Sequence, residues 1–197
     1  SYKDQLILTG QLNDVGSPVR VNVDKSYRAG IELSSSVILN KKLRLRLNGT
    51  FSQNKIDEFN EIIYDYDNGG IIEIKHKNSD IAFSPNIISA AAIEYAPLKS
   101  LSILLQTKYV DKQYLDNTSD DSKVIEAYQT LDARVSYSLF PKHIKELSLN
   151  FMVNNVLNTL YSSNGYTYSY IYGQMITENF YYPQAGRNFL CGLTIKF

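Results

Sequence analysis

Tryptophan is absent from the 197 residues, cysteine occurs once and histidine twice. The single cysteine, Cys191, excludes an internal disulfide framework. His76 and His143 lie in polar, lysine-containing segments, and neither has a His, Cys or Asp partner at ligand spacing, so no metal site and no cofactor are expected. No run of about 18 apolar residues occurs, so no helix of this chain can span a bilayer. A charge excess is missing as well: Lys plus Arg and Asp plus Glu both total 20, which argues against a nucleic-acid partner. The Ser, His and Asp residues form no triad-like arrangement, and the chain is read as not an enzyme. No secretory leader is recognised at Ser1, so the chain is read as mature or as a piece of something longer.

What is abundant is tyrosine, 16 residues beside 8 phenylalanines, and period-two alternation. In Phe189–Phe197 the positions 189, 191, 193, 195 and 197 are all apolar, with Gly192, Thr194 and Lys196 between them. That is a strand with one apolar face, about as long as a tilted bilayer-spanning strand of roughly 9–11 residues. The pattern recurs. Tyr27, Ala29, Ile31, Leu33 and Val37 oppose Arg28, Gly30, Glu32, Ser34 and Ser36; Leu43, Leu45, Leu47, Gly49 and Phe51 oppose Arg44, Arg46, Asn48, Thr50 and Ser52. Similar strands are read at 3–12, 87–95, 101–109, 131–139 and 147–153. The connections alternate. Asn40–Lys42, Ala96–Lys99 and Pro141–His143 are short; Asn13–Lys25, Glu61–Pro85, Leu115–Lys123 and Leu157–Gly186 are long. All short turns at one end and all long loops at the other is the pattern of an outer-membrane barrel, short turns periplasmic and long loops extracellular. The fold expected is therefore all-β, an antiparallel transmembrane β-barrel segment of about eight strands. Its C-terminus is expected in the periplasm and its long loops outside. A mean hydropathy of −0.25 agrees, because half of each strand would face a polar lumen.

Tyr95, Phe140 and Phe197 fall at the short-turn end, and Tyr27, Phe59, Tyr109 and Tyr114 toward the long-loop end, as two interfacial girdles would; aromatics are also simply common in strands. Tyr166, Tyr168, Tyr170 and Tyr172 alternate in the longest loop, and Tyr64 and Tyr66 in another. Alternate tyrosines can extend a hairpin above the membrane, or present aromatic faces to a ligand; these six are the candidate ligand-binding residues. Arg28, Arg44, Arg46 and Arg134 are expected to face the lumen, where they would pair with Glu32, Glu94 and Asp132, hold a plug, or draw in an anion. Asp65–Gly69 resembles a calcium loop only faintly, since the twelfth position from Asp65 is His76 rather than Glu.

Val153–Asn154–Asn155–Val156–Leu157–Asn158–Thr159–Leu160–Tyr161 resembles the Asn-Asn-Leu-Phe-Asn and Tyr motif near the end of TonB-dependent outer-membrane receptors. Asn164–Tyr168 and Tyr182–Phe189 resemble the last loop and last strand of the Bacteroidetes type, and 26–32, 80–86 and 108–117 resemble earlier strands, in order. The resemblance implies that residues 1–197 are the C-terminal part of a barrel of about 22 strands with a plugged lumen. The plug domain and the N-terminal strands would then lie outside this chain. It implies TonB-dependent import of a large scarce nutrient across the outer membrane, with a metal chelate (a ferric siderophore) or cobalamin as the favoured substrate. Import of glycans or peptides is the variant. The implied partners are outer-membrane lipid, the rest of the same receptor, TonB through the plug, and a surface lipoprotein. Leu193, Ile195 and Phe197 resemble the signal read by the barrel-assembly machinery, and are also what a lipid-facing row would contain. The alternative is a self-contained eight-stranded barrel, an adhesin or structural protein, which would pair residues 3–10 with 188–197.

Overall fold

The computed structural model describes the backbone of residues 1–197, and every side chain except those at positions 10–12 and 18. Thirteen strands follow in order: β1 (Tyr2–Leu12), β2 (Pro18–Asn40), β3 (Leu43–Asp65), β4 (Ile71–Asp80), β5 (Ile87–Leu98), β6 (Leu101–Val110), β7 (Gln113–Tyr114), β8 (Val124–Ile125), β9 (Tyr128–Leu139), β10 (Glu146–Asn154), β11 (Ser162–Tyr172), β12 (Gln174–Pro183) and β13 (Asn188–Lys196). One antiparallel path runs β1-β2-β3-β5-β6-β9-β10-β13, with β4, β11 and β12 raised beside it. No helix among the described residues is long and apolar enough to cross a membrane.

The register explains the composition. Arg44 stands opposite Ile38 on one side and Glu94 on the other, Glu94 opposite Leu104, Leu104 opposite Arg134, and Arg134 opposite Met152. Directly paired residues share a face, so one parity holds from β2 to β13. Odd positions carry the apolar row of the wall strands on this path, including Leu45, Leu47, Ile93, Leu105, Val135, Phe151, Leu193 and Ile195. Even positions carry Arg, Glu, Ser, Asn and Asp. Leu47, Leu149, Phe151, Phe189 and Leu193 are nevertheless exposed. An exposed apolar sheet face of this extent is what a lipid-facing or partner-covered wall presents. Gly30 allows the β2–β3 pair to close tightly, since a Cβ there would sit 2.5 Å from the Phe51 carbonyl oxygen.

The sheet is open. β1 pairs only with β2 and β13 only with β10, so the pairing of 3–10 with 188–197 that a closed eight-stranded barrel needs is not present among the described residues. β1 does not run the height of the wall either: Tyr2 to Leu12 pair with Ser26 to Pro18, the upper part of β2, while the lower part, 26–40, pairs with β3.

The long connections are more regular than the sequence suggests. Residues 18–25, expected as loop, continue β2. Val19, Val21 and Val23 alternate with Arg20, Asn22 and Asp24, and Pro18 is tolerated as the first strand residue. Glu61–Pro85, also expected as loop, contains the end of β3 and all of β4, paired from Lys55–Asp80 to Tyr64–Ile71. Burial in β3 changes phase on the way. Asn54 and Ile56 are buried, then Phe59 and Ile63. At that step Asn78 of β4 takes a left-handed φ of 52°. Above it Ile7, Val23, Ile56, Phe59 and Ile81 form a small core between the two raised hairpins. Phe59 is therefore a core residue and not part of a girdle. Tyr114 is also drawn into the loops, with the Lys112 ammonium 5.3 Å from its ring centre. Tyr95, Phe140 and Phe197 do stand exposed at the short-turn end.

Candidate ligand-binding loop surface

The Asn-rich motif after β10 is a turn that cross-links the longest loop. Asn155 and Asn158 both adopt left-handed backbone, φ 51° and 55°, which asparagine tolerates better than other non-glycine residues. The buried Asn155 side chain accepts from the Thr159 amide (3.0 Å) and donates to the carbonyls of Thr159 (2.9 Å) and Ala185 (3.3 Å). Its backbone amide donates to Asp132 (2.8 Å). Asn158 Oδ1 accepts from the Arg187 amide (2.9 Å), and Arg187 Nε donates to the Val156 carbonyl (3.0 Å). The two ends of the loop are thus held together where β10 leaves the wall and β13 enters it.

Between them the chain rises as the β11–β12 hairpin, turning at Gly173 (φ 69°). Its odd residues Gly165, Thr167 and Ser169 are buried. A Cβ on Gly165 would collide with the Phe180 carbonyl oxygen and lie 2.9 Å from Leu115 Cδ2. The even residues are the tyrosines, and the opposite face is where four of the six sequence candidates meet. Tyr166 stacks on Phe180 (4.8 Å, 7°), Tyr168 on Phe180 (5.9 Å) and on Tyr170 (6.0 Å), and Tyr66 packs edge-on against Tyr170 (5.9 Å). Tyr182 extends the strip beyond Tyr166 (6.1 Å). Tyr64 joins through backbone only: β3 runs parallel to β11 with Tyr64 opposite Tyr170. Tyr172 is exposed at the hairpin tip, outside the stack.

Glu178, which the sequence reading did not single out, sits opposite Tyr168. One carboxylate oxygen accepts from Tyr168 Oη (2.5 Å) and the other from Tyr170 Oη (3.1 Å). The Glu178 hydrogen bond pushes the Tyr168 phenol up to about 12 and raises that of Tyr170 as well, so both are neutral donors at physiological pH. Once Gly173 is recognised as the turn, counting outward pairs 168 with 178; that was the available signal.

The loops beneath are bound by charge. Lys123, 3 % exposed, donates to Glu61 Oε1 (2.6 Å) and Asp116 Oδ2 (3.0 Å), and His76 Nε2 lies 2.8 Å from Glu61 Oε2. Burial lowers the Lys123 pKa, but the Asp116 charge and the hydrogen bonds to Glu61 and Asp116 outweigh it, and the net shift is upward. His76 is thereby a partner of Glu61 and Phe59, and no cluster of His, Cys, Asp and Glu able to hold a metal occurs among the described residues. Asp65 caps its own turn, accepting from the amides of Asp67 (3.0 Å) and Asn68 (3.1 Å). The Asn68 side chain also donates to it and holds its carboxyl below the ordinary range. Asp67 reaches across to accept from the Gly173 amide (2.7 Å), tying the two hairpin tips together.

The four arginines share the even face. Arg44 pairs with Glu94 (3.6 Å). Arg28 donates to Asn54 and Ser84 rather than to Glu32. Arg134 lies against Met152, while Asp132 is taken by Asn155. Arg46 stands between Ser36 and Ala92 in the register. Leu193 and Ile195 lie in the odd row of β13, with the chain-end Phe197 just beyond it, all three exposed.

Residues 1–156 match the family model described as TonB dependent receptor-like, beta-barrel. No curated protein sequence matches the chain. Among solved structures it resembles the siderophore receptor PiuA from Acinetobacter baumannii, with a TM-score of 0.62 and 18% identity over 93% of this chain and 23% of that one. It resembles the ferric-catecholate import receptor Fiu from E. coli K12, with a TM-score of 0.61 and 17% identity over 96% and 23%. It also resembles the ferric yersiniabactin uptake receptor FyuA from Yersinia pestis, with a TM-score of 0.60 and 16% identity over 89% and 24%. At these identities the likeness is one of fold. The chain spans about a quarter of the length of these receptors. Members of the matched family are transporters, not enzymes. An open antiparallel wall with one apolar parity and a matching model over most of its length make this chain a member of the TonB-dependent receptor-like β-barrel family.

Proposed function

We propose that this chain is the C-terminal part of an outer-membrane importer. Its wall strands cross the bilayer with odd residues toward lipid and even residues toward the lumen, and its raised hairpins receive a ligand on the outside. The substrate class is a metal chelate of the ferric siderophore type, with cobalamin next. The observation that carries this reading is the partly exposed strip Tyr182–Tyr166–Phe180–Tyr168–Tyr170–Tyr66, braced by the buried loop network on top of the wall. Flat aromatic chelates offer the same kind of face to stack on it. Arg28, Arg44, Arg46 and Arg134 would then line the path below, where the rest of the same receptor supplies the plug. TonB acting on that plug, outer-membrane lipid and a surface lipoprotein over the loops are the partners this reading assigns. Leu193, Ile195 and Phe197 would serve both as lipid-facing residues and as the assembly signal.

The test is energy-dependent uptake of ferric catecholate, cobalamin and an oligosaccharide by cells expressing the whole receptor. The ferric chelate is expected to accumulate only when TonB is present. Each aromatic contact is worth about 0.5–1.5 kcal/mol, so Tyr166→Ala with Tyr168→Ala and Tyr170→Ala, which together remove about 1.5–4.5 kcal/mol, should weaken chelate binding about 10- to 2,000-fold. Accumulation of cobalamin or oligosaccharide without the iron chelate would reassign the substrate.

A further inference from the structure

Tyr168, Tyr170 and Glu178 do more than line the strip. Tyr168 and Tyr170 are two apart on β11 and so point to the same face, and Glu178 stands opposite Tyr168 on β12. The two phenol oxygens reach the two oxygens of one carboxylate, at 2.5 and 3.1 Å. Hard oxygen donors therefore converge on one spot at the surface, Tyr168 being 38% exposed. The spot lies on a hairpin whose back is buried and whose tip is latched to Asp67, so the donors are pre-positioned.

We propose that this triad is a binding site for a bare hard trivalent cation, ferric iron foremost. The two phenols would ligate as phenolates and Glu178 as a carboxylate. Hard oxygen ligands suit hard cations, and a bound cation deprotonates groups that are neutral without it. The step balances without redox chemistry. The ferric ion displaces one proton from each phenol, both protons pass to solvent, and iron stays ferric. Three donors on one face leave the remaining positions to water or to oxygens of a chelate, so the site could accept iron directly from an incoming ligand. The proposal rests on the loop surface being the ligand-receiving side, and not on which chelate is carried.

The probe is ferric nitrilotriacetate added to the whole receptor in detergent, read by visible absorption and by proton release. A phenolate-to-iron charge-transfer band is expected, with one proton released per phenol. The band should be lost in the Tyr168→Phe, Tyr170→Phe double variant, which keeps both rings. It should weaken and shift in Glu178→Gln and persist in Tyr137→Phe, a tyrosine of the odd wall face. Absence of the band at saturating iron, or a band unchanged in the double variant, overturns the site. Wild-type uptake of ferric catecholate, measured in parallel, separates the two readings: uptake without the band sinks the triad and leaves the import reading standing.

Discussion

Lys123→Met should destabilise the loop assembly by about 3–5 kcal/mol, the range for breaking a buried ion pair from one side. Lys123 is the single cation between Glu61 and Asp116, at 2.6 and 3.0 Å, and its side chain is 4% exposed. Without it two carboxylates remain in a dry site, and Asp116 is already committed to the Thr118 amide and hydroxyl. The segment 111–127 would then be held to the β3–β4 hairpin chiefly by Ser119, which bonds Asp80 at 2.7 and 2.9 Å. The wall would be unaffected, because none of its pairings passes through this segment. Limited proteolysis should show cleavage within 111–127 at protease levels that leave the wild type intact, while the barrel keeps its resistance to heat in detergent. The triple variant Lys123→Met, Glu61→Gln, Asp116→Asn removes the uncompensated charge and should recover part of the loss. Equal protease resistance of Lys123→Met and wild type would show that the network does not hold the loop.

Leu47→Lys should cost about 2–4 kcal/mol of folding stability in a bilayer, whereas Asn48→Lys, one residue on, should cost about 1 kcal/mol or less. Both positions are in the middle of the wall part of β3, paired with Ser35 and Ala91 for Leu47, and with Ser34 and Ala90 for Asn48. They differ only in parity. In the proposed orientation the ammonium on the odd face would meet hydrocarbon near the midplane, and on the even face it would meet the side that carries Arg44, Arg46 and Arg134. Reversible urea unfolding in lipid vesicles reads the difference. Similar costs at 47 and 48 would mean that the two faces see the same surroundings.

The wall was legible in the sequence because two unlike surroundings impose period two on every strand that crosses. Leu43 to Phe51 could be assigned to faces without any structure, and the register confirms each face. Above the bilayer that constraint is gone. Residues 18–25 and 71–80 pair as strands while looking like loop, since the exposed Asp24, Lys75 and Lys77 cost little on a strand with one face in water. Phe59 reads as a girdle residue from its place toward the long-loop end, but the strand continues past Phe51 and its buried face changes phase between Ile56 and Phe59. Lys123 ends a segment that reads only as a polar loop; its burial depends on Glu61, far away in sequence. The tyrosines were visible as a pattern, but the latch between the Asp67 and Gly173 turns, and the Glu178 carboxylate under two hydroxyls, exist only once the hairpin register is fixed. The Asn155 and Asn158 turn gives a physical reason for the motif that carried the family resemblance: both positions need left-handed backbone, and the Asn155 side chain bonds both ends of the longest loop.

The membrane wall itself is tested most directly by placing single cysteines at positions 45, 46, 47 and 48 in a Cys191→Ser background and attaching a nitroxide to each in the reconstituted receptor. Positions 45 and 47 should collide readily with dissolved oxygen and poorly with a water-soluble nickel chelate, and positions 46 and 48 should show the reverse. Equal access of the nickel chelate to all four, or the opposite phase, would contradict a bilayer-spanning sheet with its odd face in lipid.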